Sequence, residues 1–424
     1  MDRVLYQTYI EILKEELIPA MGCTEPIAVA YAGAIAKETL GCIPDRVELT
    51  VSGNIIKNVK SVIVPNTRGR KGLRCAVAAG IIFGAADREL QVISEVTDAQ
   101  LQEMDQFLSC ADIRIVESDA KCPFDIQVRV ASGMDSAFVR IIGQHTNVVR
   151  LERNGEILKD IPFSDEAAPA PENRNMLSVE KIVEFADTAQ IEDVQEILQR
   201  QIDYNTAIAE EGLNGSYGAN IGKILLQSYG NAVQNRAKAW AAAGSDARMN
   251  GCELPVVINS GSGNQGMTAS LPVIVYAAEC GVSKEQLYRA LLVSNLVTIH
   301  LKTGIGTLSA YCGATSAGAG AGAGICYLYG GRYDQIAHTI VNALAINSGM
   351  VCDGAKASCA AKIASAVEAG LLGWKMYEHE SQFFGGDGIV VKGVENTIAA
   401  VSELAREGMR STDDEIIRLM MNNS

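Results

Sequence analysis

Apolar and polar positions along this chain follow different rhythms in different stretches, and each rhythm predicts a different kind of structure. Over residues 1–43 the period is helical: MDRVLYQTYIEILKEELIPA is amphipathic, stops near Pro19, and is followed by GCTEPIAVAYAGAIAKETLG. Between about residues 45 and 165 the period drops to two. DRVELTVSGNI, ADIRIVES, FDIQVRVAS and SAFVRIIG alternate, and NVVRLERNGEIL sets an Asn154-Gly155 hairpin signal between two further strand-like runs. GLRCAVAAGIIFGAA and TDAQLQEMDQFLS lie among these strands and read as helices. A Pro- and acid-rich linker, IPFSDEAAPAPENRN, closes the region. From Ser178 onward helix follows helix with Gly-rich junctions, beginning with VEKIVEFADTAQIEDVQEILQRQIDYNTAIAEEGL and IGKILLQSYGNAVQNRAKAWAAAG.

These elements predict an α+β protein. A mainly all-α catalytic domain is expected from residues 1–43 plus 175–424, with an α/β domain containing an antiparallel sheet inserted at 45–165. The length of 424 residues exceeds the size at which one core usually stops growing, which agrees with two domains. The run AGAGAGAG at 317–324 has apolar flanks, so close helix–helix approach explains it better than a linker.

Composition narrows the function. A formal net charge of −14 lacks the basic footprint that nucleic-acid binding needs. Aromatic residues are 5% of the chain and glycines number 40, so helices are expected to pack through small residues, and a homodimer could use such surfaces. Thr303–Gly331 carries no charged side chain, yet Gly, Ala, Ser and Thr contribute little transfer energy, and a buried helix is expected there instead of a membrane span. The acidic, amphipathic N-terminus is unlike a signal peptide, which with unpaired thiols points to the cytoplasm.

The cysteines carry the candidate chemistry. There are eleven, at 23, 42, 75, 110, 122, 252, 280, 312, 326, 352 and 359, an odd number with no C-x-x-C, which argues against a disulfide framework and a structural zinc site. Thr24 as an N-cap, with Pro26 in the first turn, would set Cys23 at a helix N-terminus, where a thiol's pKa falls. Cys23 is then a base, nucleophile or metal ligand, or else a small buried residue. Asn259-Ser260-Gly261-Ser262-Gly263-Asn264-Gln265-Gly266-Met267-Thr268 follows an apolar run and precedes a helix. Its glycines let backbone N–H groups approach an anion; without a P-loop lysine, a carboxylate suits it better than a phosphate, and a plain helix junction is the alternative. Cys312, Cys352 and Cys359 could supply three thiolates to a [4Fe–4S] cluster. On an unbroken helix Cys352 and Cys359 would lie about 10 Å apart along the axis, so the chain should bend near Gly354. His145 lies in a turn that either reaches the other domain's site or is only a turn. Lys302 could form a Schiff base with pyridoxal phosphate, but nothing like a phosphate cup accompanies it and that cofactor is not expected. Gly385-Gly386-Asp387-Gly388 reads as a turn.

At GCTEP, NSGSGNQGMTASLPV, TGIGTLSAYCGATSAGAGAGAG and INSGMVCDGAKASCAAK the chain resembles the L-cysteine desulfidase family, itself related to the α chain of iron–sulfur L-serine dehydratases. The resemblance runs over nearly the whole chain. It implies a [4Fe–4S] cluster held by Cys312, Cys352 and Cys359, with Cys23 as catalytic base. The implied reaction is β-elimination: the open iron binds the leaving group or carboxylate of a small amino acid, Ser262, Asn264, Gln265 and Thr268 orient it, and L-cysteine yields sulfide, ammonia and pyruvate. Two alternatives remain open at this point: L-serine as substrate on the same machinery, and a non-catalytic small-molecule binder or redox sensor. The other seven cysteines are expected to be small buried residues.

Overall fold

The computed structural model describes residues 1–163 and 171–422. Residues 164–170, in the middle of the expected linker, lie outside the described residues. The chain starts with α1 (Arg3–Glu16), capped by Asp2, whose carboxylate accepts the N–H groups of Val4 and Leu5. After it come β1 (Pro19–Met21), α2 (Thr24–Leu40), β2 (Arg46–Val51), α3 (Gly53–Val59), α4 (Leu73–Phe83) and α5 (Asp98–Cys110). A reciprocal Thr97–Gln100 capping box starts α5. Then follow β3 (Asp112–Glu117), β4 (Asp125–Ser132), β5 (Asp135–Ile142), β6 (Val148–Arg153) and β7 (Glu156–Asp160).

The alternating runs therefore become strands, in one six-stranded sheet of order β3-β2-β4-β5-β6-β7. Asn154 and Gly155 both take positive φ, as the tight β6–β7 turn requires. The sheet is not wholly antiparallel: β2 and β3 run parallel. Their connection passes through three helices, which is long enough for the crossover that parallel pairing needs. Val47, Leu49 and Val51 alternate inward along β2, opposite Val130, Val128 and Ile126 of β4. α2 packs on β4, β5 and α4, so Cys23 is carried by the helix that covers the sheet.

The helical remainder comprises α6 (Val179–Thr188), α7 (Gln195–Asn214), α8 (Ile221–Tyr229), α9 (Val233–Met249), α10 (Gly263–Cys280), α11 (Lys284–Ile305), α12 (Gly313–Leu328), α13 (Tyr333–Ile346), α14 (Cys359–Glu378), α15 (Val394–Glu403) and α16 (Arg410–Asn422). It is not purely α. β8 (Pro255–Val257) pairs antiparallel with β1, Pro19 opposite Val257 and Met21 opposite Pro255. Three-residue strands are too short to show a period, so residues 19–21 read as part of a helical stretch. On the far edge of β8, the Asn205 side chain stands in for a third strand: its Oδ1 accepts the Val257 N–H (2.9 Å) and its Nδ2 donates to the Val257 carbonyl.

The AGAGAGAG run lies in α12, buried on all sides. Glycines two apart on a helix point roughly 200° apart, so the run makes two i,i+4 stripes on opposite faces. Gly318 and Gly322 lie against the Ala366 and Gly370 backbone of α14, while Gly320 and Gly324 face the Ser294 and Ala290 carbonyls of α11. Side chains there would hold the backbones apart. Among the described residues no helix is long and apolar enough to cross a membrane.

Candidate functional site

Four helix starts meet around one cavity: Cys23 is the N-cap of α2, Ser262 of α10 and Cys312 of α12, and Cys359 is the first residue of α14. None of these N-termini is closed by a side-chain cap bond, so their first-turn N–H groups and dipoles leave positive potential at this point. The β1–β8 ladder sets two of them side by side. It runs straight into the Asn259–Ser262 turn, where Asn259 and Ser262 exchange backbone hydrogen bonds (3.1 Å each) and both Ser260 and Gly261 take positive φ. Thr24 Oγ1 then bonds the Gly261 carbonyl at 2.9 Å, and buried Asn259 is anchored on Asn295 of α11.

Cys312 and Cys352 are brought together by a short antiparallel bridge. Tyr311 pairs with Val351, Cys312 N–H donates to the Met350 carbonyl (3.1 Å) and Cys352 N–H to the Ala310 carbonyl (2.6 Å). The chain then turns at Gly354, φ +90°, where a Cβ would strike the Lys57 carbonyl of α3, and reaches Cys359 at the foot of α14. Lys356 and Lys362 hold this loop by pairing with Asp353. All three thiols line the cavity together with Cys23. Burial, and then Cys352, push the Cys312 thiol up to about 12; burial likewise raises Cys359.

Three soft thiol donors from two adjoining segments are a donor set suited to an iron–sulfur cluster. Among the described residues no group of three or more His, Cys, Asp or Glu could hold one metal ion, and a cluster, with one thiolate per iron, makes a different demand. The surrounding polar atoms also await a ligand. Of twelve buried side-chain N or O atoms without a partner among the described residues, five belong to residues that line this cavity: His145 Nε2, Arg248 Nε, Asn264 Oδ1, Gln265 Oε1 and the Tyr311 hydroxyl. Native interiors leave few such groups, and concentration at one place marks a site.

Cys23 is placed otherwise than expected in one respect. It is itself the N-cap, Thr24 being the first helical residue, and its thiol donates to Glu25 Oε2 at 3.0 Å. Burial, and then the Glu25 carboxylate, raise its pKa well above the usual thiol value, with Arg248 opposing. The helix N-terminus therefore does not make it a low-pKa thiol here.

Ser262, Asn264 and Gln265 all line the cavity. Thr268 does not: it is fully buried one turn deeper, and its hydroxyl donates to the Asn264 carbonyl at 2.6 Å. His145 does reach the site. It stands against Gly261 from the β5–β6 turn, edge-on to Phe124, and burial lowers its pKa, favouring the neutral ring. Lys302 lines the same cavity near the end of α11, where its ammonium donates to the Gly306 carbonyl (2.5 Å) and burial lowers its pKa to about 8. Gly386 and Gly388 take positive φ, in a turn away from this cavity.

Arg248, Glu25 and Tyr311 were missed. Arg248 sits near the end of an alanine-rich helix, where a lone arginine resembles a solvent-facing residue, but it is 2% exposed. The available signal was its setting of small residues, 241–247, which belong in a crowded interior. The expectation for the other seven cysteines needs correcting. Cys75, Cys122, Cys252 and Cys326 are buried, whereas Cys42, Cys110 and Cys280 are exposed; all eleven are free. Cys42 follows the helix-ending Gly41 and Cys110 closes α5, positions where chain ends face solvent.

Residues 87–418 match the family model described as serine dehydratase alpha chain. The chain is also similar over nearly its full length to UPF0597 proteins: one from Desulfitobacterium hafniense at 60% identity (98% of this chain, 97% of the relative), one from Lachnoclostridium phytofermentans at 50% (99% and 100%), and one from Treponema denticola at 46% (99% and 99%).

Proposed function

Because the chain belongs to the serine dehydratase α-chain family, we propose that it is an iron–sulfur-dependent lyase that removes sulfide from L-cysteine by β-elimination. The observation that carries this reading is the meeting of four thiols in one cavity, Cys23, Cys312 and Cys359 at helix starts and Cys352 on the bridge beside Cys312. Cys312, Cys352 and Cys359 would hold a [4Fe–4S] cluster, which when bound supplies a Lewis-acidic iron for the departing group. Cys23 is the proton acceptor. Its thiol proton passes to Glu25 Oε2, to which it is already hydrogen-bonded, against the raised thiol pKa that burial and Glu25 impose, and its sulfur then takes the substrate's α-proton. The Cα–H electron pair becomes the Cα=Cβ bond, and the Cβ–S pair leaves with the sulfide. The resulting aminoacrylate tautomerises, and water converts it to pyruvate and ammonia. Ser262, Asn264 and Gln265 orient the amino acid at the start of α10, and Thr268 acts through Asn264 by tying down its carbonyl. His145 and Tyr311 help wall the reaction off from bulk water. Eleven free thiols suit a reducing cytoplasm.

L-Serine, with hydroxide as the leaving group, is the second reading, and the description of the matching family model favours it. Pyruvate formation from both amino acids by anaerobically reconstituted protein separates the two. L-Cysteine is expected to have the larger kcat/KM. A larger value for L-serine transfers the assignment to the second reading, and no pyruvate from either, on protein carrying its cluster, removes the lyase assignment.

A further inference from the structure

We infer that Arg248 is the carboxylate anchor of the site, which makes the cavity a receptor for zwitterionic α-amino acids; this rests on the lyase reading only for what happens after binding. Arg248 is 2% exposed, and its Nε has no hydrogen-bond partner among the described residues. Among the described residues it makes no ion pair with any acid. A buried guanidinium left in that condition is costly, and structures that keep one supply its counter-charge from elsewhere. Among the described residues Glu25 is the one acid lining the cavity, and its Oε2 is already engaged by Cys23 Sγ (3.0 Å).

The position of the guanidinium matches a carboxylate. It lies directly under the first turn of α10: a Cβ on Gly263 would come within 2.8 Å of its Cζ. The uncapped start of α10 and the arginine line one cavity side by side, and the two kinds of donor together suit a planar anion gripped on both oxygens. Next to this donor set are two orphaned acceptors, Asn264 Oδ1 and Gln265 Oε1, on the same turn. Gln265 is 6% exposed and packed against Gly313. Donors for a carboxylate beside acceptors for an ammonium are the complement of an α-amino acid.

The test uses the reconstituted holoprotein and L-alanine, which has nothing at Cβ to eliminate, against L-alaninamide, which lacks the carboxylate charge. Calorimetric titration of the wild type should favour L-alanine by about 10- to 100-fold, the range for hydrogen bonds to a charged group. In Arg248→Met, L-alanine should weaken by that factor while L-alaninamide changes little, so the preference collapses; Arg248→Lys should recover part of it. Without ligand, Arg248→Met should melt no lower than the wild type, because it removes an uncompensated buried charge, whereas loss of a merely structural arginine would lower the melting temperature. A wild type without preference overturns the inference, whatever the variants do, and so does a folded Arg248→Met that retains it. Neither result depends on turnover. A lyase whose carboxylate preference ignores Arg248 refutes this inference alone, and an Arg248-dependent preference without elimination refutes only the lyase reading.

Discussion

The sheet region and the helical bundle bury themselves by opposite means. In β2, β4 and β5 large branched side chains alternate inward, so the strands are held apart and together by Val, Leu and Ile. In α11, α12 and α14 the contacts are backbone against backbone, through glycines that leave no room for a side chain. The two regions also bring different chemistry to the shared cavity. The helix covering the sheet and the β5–β6 turn supply Cys23, Glu25 and His145, the groups that hold or exclude protons; the bundle supplies Cys312, Cys352, Cys359 and Arg248. A side-chain core can give by a methyl group. A backbone contact cannot, and that rigidity is what fixes the thiols at the feet of α12 and α14.

The sharpest way to break this contrast is to add volume to one region and remove it from the other. Gly318→Val would push a side chain into the Ala366 carbonyl, which even the first added carbon would meet well inside contact distance. It should cost about 3 kcal/mol or more and loosen the α12–α14 contact that carries Cys312 and Cys359. Ile126→Val in β4 removes a methylene from a fully buried side chain and should cost about 1 kcal/mol, leaving the site intact. Chemical denaturation of both variants reads the difference; equal costs would deny that the regions are packed differently.

A smaller effect concerns pH. In the bundle, Asp246 on α9 accepts the Gly222 N–H at the start of α8 (3.0 Å), while its other oxygen, Oδ1, has no partner among the described residues. Burial, opposed by the Gly222 and Ile221 N–H groups, pushes its carboxyl up to about 6. The folded protein thus holds this proton more tightly than the unfolded chain does. The group's contribution to stability is complete below the unfolded value of about 4 and declines as pH rises through about 6, by on the order of 2 kcal/mol. Asp246→Asn should remove that decline, seen as a flatter difference in melting temperature between pH 4 and pH 7. An unchanged pH profile would show that the carboxylate is solvated.

How much of this was legible in the chain follows from the same contrast. β2, β3 and β4 could be read because they alternate apolar with polar residues over at least five positions, and β6 and β7 because Asn154-Gly155 marks the turn between them. The parallel β2–β3 pairing could not, since period two is the same in either direction. β1 and β8 were too short to show a period, although they set Cys23 beside Gly261. In the bundle, helices buried all round carry no amphipathic stripe, so their existence was readable but their contacts were not. The small-residue run did announce close packing. That its glycines divide between α11 and α14 needed the three-dimensional arrangement. Cys23, Cys312, Cys352 and Cys359 were legible as motifs beside Gly and Ser, whereas Arg248 was hidden, because nothing local tells a buried arginine from an exposed one.

The central claim is that Cys312, Cys352 and Cys359 act together on one cluster. Iron and acid-labile sulfide should therefore be measured per chain, with the visible spectrum, after anaerobic reconstitution of the wild type and of Cys312→Ala, with Cys326→Ala, a buried thiol outside the cavity, as the control. The account predicts about four irons and four sulfides in the wild type and in Cys326→Ala, the composition of a [4Fe–4S] centre, and loss of most of both in Cys312→Ala. A wild type that takes up no iron and sulfide under these conditions, or a Cys312→Ala variant that retains the full complement, would contradict it.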